Sequence, residues 1–199
     1  MALAPVLLAL ALSAPRPPGP APAAPAAPSA PEAAPSSDVR EQVSAYLGAI
    51  HEPVPPASFR ALGPGAEDAL ADFARSDPLP MRRVRALEAL AGLGGARAET
   101  VHREVLASPT APPAVRRGAV RGLARLAGPT GAARVLGPVV EGDRDPGVRA
   151  TAAEELARTA PAAGCGPIRA RAKVDAEGAR FRRALAECDR AERATSQGR

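Results

Sequence analysis

Few side chains in this sequence have the type and spacing that covalent chemistry requires, and those few are scattered. Among 199 residues there are two His and two Cys. His51 stands before a proline turn and His102 follows Val101 in a helical pattern. Neither has a Cys, His or carboxylate at ligand spacing, so both read as surface residues rather than metal ligands. No G-x-S-x-G elbow marks a nucleophile. Gly92-Leu93-Gly94-Gly95 closes a helical pattern, whereas a phosphate loop would open one. The sequence therefore offers no catalytic residue, no metal site and no small-molecule cofactor.

Charge is the remaining chemistry. Residues 1–80 carry four Arg against eight acids, and residues 81–199 carry 22 basic against 13 acidic residues. A basic half of this kind attracts an acidic protein, an anionic polymer or a membrane surface, or simply solvates the fold. Arg117, Arg121 and Arg125 recur every four residues and form a basic ridge on one helix face. Guanidinium groups in a row contact phosphates or carboxylates. No aromatic residues are interleaved to stack on nucleobases, so the plainer reading is the solvent face of an outer helix.

The elements behind these residues repeat. Pro80, Pro113 and Pro146 are spaced by 33 residues, as are Arg83, Arg116 and Arg149, then Ala86, Ala119 and Ala152, then Leu90, Leu123 and Leu156. A fixed period of this size marks stacked units that bury their apolar faces only against one another. The 3.6-residue apolar pattern predicts helices over 80–93, 97–107, 113–127, 130–141 and 146–159. It predicts weaker ones over about 167–174 and 177–193, and Pro138 is expected to kink or shorten the helix that contains it. Earlier helices fall over 38–50 and 65–75. Three Phe, one Tyr and no Trp leave a core of Ala, Leu and Val, which suits closely packed helices better than a sheet.

The amino end differs. Residues 2–14 form a short, uncharged apolar run that fits the hydrophobic region of a signal peptide, with cleavage after Ser13. Residues 15–37 are almost wholly Pro, Ala and Ser, a composition that cannot bury a core. The chain thus divides into a signal peptide over 1–14, a disordered Pro/Ala-rich linker over 15–37, helical repeats over 38–160, and capping helices with a tail over 161–199. The repeat cores fall at about 80–108, 113–141 and 146–174. The protein is expected to be exported, periplasmic or secreted. Oxidising surroundings would favour a Cys165–Cys188 disulfide over two unpaired thiols. That bond would tie the last helix, near Arg182 to Asp189, to the turn before Pro167. It would contribute about 3 kcal/mol by the loop-entropy account.

Val148-Arg149-Ala150-Thr151-Ala152-Ala153-Glu154-Glu155-Leu156, preceded by Asp145-Pro146, resembles the first helix of a HEAT repeat, close to the short HEAT-like repeats also found in phycobilin lyases. Val115-Arg116 through Leu123 is similar, Arg82-Arg83 through Leu90 less so, and Val39-Arg40 through Leu47 is a fainter copy. The resemblance implies an all-α fold, a short right-handed α–α superhelix, with the second helix of each pair lining the concave side. It also implies structural roles for Arg83, Arg116 and Arg149, which pair with Asp along the stack. Asp77 and Asp143 fall in register, but Thr110 takes the middle position. The contact rows implied on the concave side are Glu99, His102 and Arg103 on one helix, and Arg134 and Gly137 on the next.

The leading functional expectation is a monomeric, non-enzymatic scaffold that binds a protein partner the residues do not name. One alternative is nucleic-acid binding through the basic half, because HEAT-like repeats also build DNA alkylation-repair glycosylases. Another is a lyase-like enzyme, which rests on fold analogy alone.

Overall fold

The computed structural model describes residues 37–49, 54–174 and 178–197, and all of the described chain lies in one compact unit. The expected signal peptide, the linker before Ser37, and His51 lie outside the described residues. Among the described residues the fold is all α, with no strand. The helices are α1 (Ser37–Gly48), α2 (Pro56–Ala61), α3 (Gly65–Ser76), α4 (Pro80–Leu93), α5 (Gly95–Ala107), α6 (Pro113–Gly142), α7 (Pro146–Thr159), α8 (Pro161–Val174) and α9 (Arg182–Gln197). A 3-10 turn, Gly178–Phe181, leads into α9.

Local chemistry sets the starts and stops. Pro80, Pro113 and Pro146 each occupy the first turn of a helix, where a missing N–H costs nothing and a fixed φ is already helical. At α7 the Asp145 carboxylate also caps the helix, accepting from the Val148 N–H at 2.9 Å. Gly94, at φ 81°, takes a left-handed turn that ends α4 and begins α5. Gly128, at φ 59°, breaks α6 into two halves without a loop between them. That one residue is the boundary that the sequence places between its 113–127 and 130–141 helices.

Pro138 is a correction. It sits inside the second half of α6, which continues to Gly142, and the non-helical backbone in α6 is at Gly128 instead. Pro138 is exposed, so its ring is not packed into the core. A second correction concerns α8, which begins at Pro161 rather than near 167 and carries Pro167 within it.

The helices pair as repeat units. α4 packs on α5, the first half of α6 leads into its own second half, and α7 packs on α8. The first helices stack as α4, α6 and α7, each touching the next. α1 and α3 form an earlier unit that contacts α4 and α5, and α2, which lies between them in sequence, packs on α3 and α4. α9 and the 3-10 turn close the other end against α7 and α8. α8 is therefore the second helix of the last unit, and the cap proper begins at Gly178.

The core follows from the repeat. Ala86, Leu87 and Leu90, then Ala119, Val120 and Leu123, then Ala152, Ala153 and Leu156, are all buried. They group into two clusters, one from Val43 to Ala119 and one from Val120 to Cys188, which meet across the first half of α6. Small side chains let the helices approach closely, and the few aromatic rings go to the ends. Phe59 meets Tyr46 edge to face at 5.4 Å in the first cluster, and Phe181 is fully buried in the second.

Candidate functional site

The arginines that repeat every 33 residues tie units together, each in its own way. Arg116 is buried, pairs with the Asp143 carboxylate, and donates Nε–H to the Leu106 carbonyl at 3.0 Å. Arg83 donates Nε–H to the Ala74 carbonyl at 2.9 Å. Arg149 donates to the Asp143 carbonyl at 2.7 Å. Asp77 pairs with Arg82 at 3.3 Å, and its charge also acts on Arg83.

The two aspartates share a second duty. Asp77 accepts from the Leu79 N–H and Asp143 from the Asp145 N–H, each two residues ahead and each at 2.8 Å. The same offset from Thr110 reaches Pro112, which has no N–H to give. An Asp at 110 would lack that turn bond, so the gap in the Asp row has a local cause. Thr110 instead meets Ser108, hydroxyl to hydroxyl, at 3.2 Å.

Of the residues expected to face a partner, all but one are accessible. Arg103 is exposed and pairs with Glu99 on its own helix through Nε at 3.1 Å and Nη2 at 2.6 Å. Arg134 is exposed on the second half of α6. Together Arg103 and Arg134 line a groove of about 510 Å³ between α5 and that half-helix. Leu106, Val135, Pro138 and Val139 make its apolar surface, and Asp143 and Arg144 close one end.

His102 corrects the sequence reading. Its ring is fully buried, so it is neither a surface residue nor a contact for a partner. Nδ1 lies 2.6 Å from the Ala98 carbonyl one turn back, while Nε2 has no hydrogen-bond partner. Desolvation first holds the imidazole below its usual pKa, with the Ala98 and Leu87 carbonyls opposing the shift. The ring fits because residue 122, facing it from α6, is glycine: a Cβ there would overlap both Nε2 and Cδ2. Nothing near His102 in sequence reveals this slot, since the residue that makes it lies on another helix.

The basic ridge is dispersed by its neighbours. Arg121 and Arg125 are exposed and Arg117 is half-buried. One repeat away on either side, the position of Arg121 is taken by Glu88 on α4 and Glu154 on α7. A polyanion crossing this row of helices would meet carboxylates on both sides of Arg121.

Cys165 and Cys188 are joined, with Cα atoms 5.6 Å apart. The bond ties α9 to the interior of α8, not to a turn, because Cys165 lies four residues inside the helix. Arg169 of α8 adds exposed ion pairs to Asp189, at 3.0 Å, and to Glu192.

Among the described residues, no group of three or more His, Cys, Asp or Glu could hold a metal ion, and no helix is long and apolar enough to cross a membrane. Paired helices stacked at a fixed period define an α-helical repeat solenoid. Residues 67–157 match the family model for HEAT repeats. No curated protein and no solved structure matches the chain.

Proposed function

We propose that the array is a non-enzymatic scaffold that binds a protein partner on its second-helix row, in the groove between α5 and the second half of α6. The observation that carries this reading is the shared lining: Arg103 and Arg134, on successive second helices, line the same groove over an apolar floor. Stacked repeats use such continuous surfaces for binding. The first-helix row supports a polyanion less well, because Glu88 and Glu154 flank Arg121 in register. We place the protein in the cell envelope or outside the cell. The Cys165–Cys188 bond fits an oxidising compartment, and the apolar run at residues 2–14 fits an export signal.

A photoreactive amino acid at position 134, with a second version at position 121 on the other row, tests the binding face. In an envelope extract from the source cells, position 134 gives one reproducible crosslinked protein and position 121 does not. Equal crosslinking from both positions, or none from 134, refutes the assignment.

A further inference from the structure

We infer that the groove between α5 and the second half of α6 takes an extended acidic segment of the partner, with two carboxylates about four residues apart flanking one aliphatic side chain. This rests on the scaffold reading above and adds the chemistry of what is held.

The lining carries four guanidinium groups and one carboxylate. Arg116 and Asp143 neutralise each other below the surface, both nearly buried. Arg103 shares its charge with Glu99. Two cations remain without a carboxylate. Arg134 stands exposed on α6. Arg144 donates to the carbonyls of Ser108, at 3.1 Å, and Pro109, at 2.7 Å, which orients its guanidinium but leaves its charge uncompensated. A carboxylate is the complementary group at both ends.

Spacing and width define the rest. Arg134 and the end of α6 at Gly142 are separated by eight residues of helix, which is about 12 Å at ~1.5 Å per residue. An extended chain rises about 3.3 Å per residue and covers that distance in about four residues. Neighbouring packed helices lie about 8–10 Å apart. The channel between them admits one row of side chains, and a helix of about 10–12 Å diameter does not enter it. Leu106, Val135, Pro138 and Val139 lie between the two cations and receive the aliphatic side chain.

The probe is a fluorescein-labelled peptide with the core Glu-Ala-Leu-Ala-Glu and blocked ends, followed by anisotropy against the full chain at low salt. Lys-Ala-Leu-Ala-Lys is the charge-reversed control. The acidic peptide binds, its affinity falls as salt rises, the lysine peptide does not bind, R134E weakens binding about tenfold, and R121E leaves it unchanged. The inference is overturned if R134E binds as the parent does, if both peptides bind alike, or if the acidic peptide fails to bind at millimolar concentration. In that last case a partner crosslinked from position 134 still upholds the scaffold, so the two readings fail separately.

Discussion

Gly122→Ala isolates the contact on which the middle of the array depends. In an open helix the exchange stabilises by about 1 kcal/mol, because Ala loses less backbone entropy on folding. Here the added Cβ overlaps Nε2 and Cδ2 of His102, and Cε1 would lie only 3.0 Å away. The Cβ would lie 2.0 Å from Nε2, whereas such contacts settle near ~3.5–4.0 Å, so the ring must retreat by roughly 1.5 Å. The ring is fully buried, and it is held to the Ala98 carbonyl at 2.6 Å. Overpacking costs about 1–3 kcal/mol, and the strained or lost hydrogen bond costs about 1 more. Set against the helix gain, the net is about 2 kcal/mol of destabilisation, or roughly 4–8 °C in Tm. Gly118, one turn earlier on α6, is the control: its Cβ would meet Val84 and Leu87 at 3.5–3.6 Å, an ordinary contact. Gly118→Ala is therefore neutral or stabilising. Thermal and urea melts of both variants, repeated in a His102→Ala background, complete the test. There Gly122→Ala loses its penalty and gains the helix term. Equal costs for Gly122→Ala in both backgrounds would refute the steric argument.

Three further outcomes follow from the same geometry. Asp143→Ala strands the buried Arg116 and removes the Asp145 turn bond, costing about 3–5 kcal/mol by denaturant melts; Asp77→Ala, whose partner Arg82 is more exposed, costs clearly less, and equal losses would contradict the ranking. Reducing the Cys165–Cys188 bond, or Cys188→Ala, removes about 3 kcal/mol and lets the amides of α9 exchange before those of α4 to α7. Unchanged protection of α9 after reduction would show that packing alone holds it. His102 is held below its usual pKa when folded, so the unfolded chain binds the extra proton as pH falls through about 6.5. Stability contributed by the neutral ring is complete above that value and declines below it, by up to about 1.4 kcal/mol per pH unit. A His102→Leu variant flattens this slope in melts from pH 7.5 to pH 5, and an unchanged slope would assign it to other groups.

The first-row helices were legible because three signals coincide in each: a proline at the first turn, an apolar stripe and a short polar turn before it. Pro80, Pro113 and Pro146 mark their starts in both sequence and structure. α8 was half legible because Pro161 to Pro167 is Ala- and Gly-rich and carries little amphipathic signal. Its early turns form on tertiary contact, with Gly164 lying so close to Leu156 that any Cβ would collide. His102 was misread for a related reason, since its burial depends on Gly122, twenty positions away on another helix. Arg103 and Arg134 were legible only as residues of the second-helix row, because that row departs from the strict period: 33 residues on from Arg103 is the buried Leu136. Arg144 was missed, being a turn residue with no repeat partner and no local pattern to mark it.

Thr110 leaves the array with a mechanical seam. The charged tie at Asp77 lies on one side of it and the tie at Asp143 on the other, and the two buried clusters change over at Ala119 and Val120 on the same repeat. Under tension along the stack, load passes through α6 as through a single shared plate. What crosses the Thr110 turn is a set of guanidinium-to-carbonyl bonds, from Arg116 to Leu106 and from Arg144 to Ser108 and Pro109, with no aspartate tie of its own. Those bonds are also what fixes the end of the groove, since Arg116 and Arg144 line it.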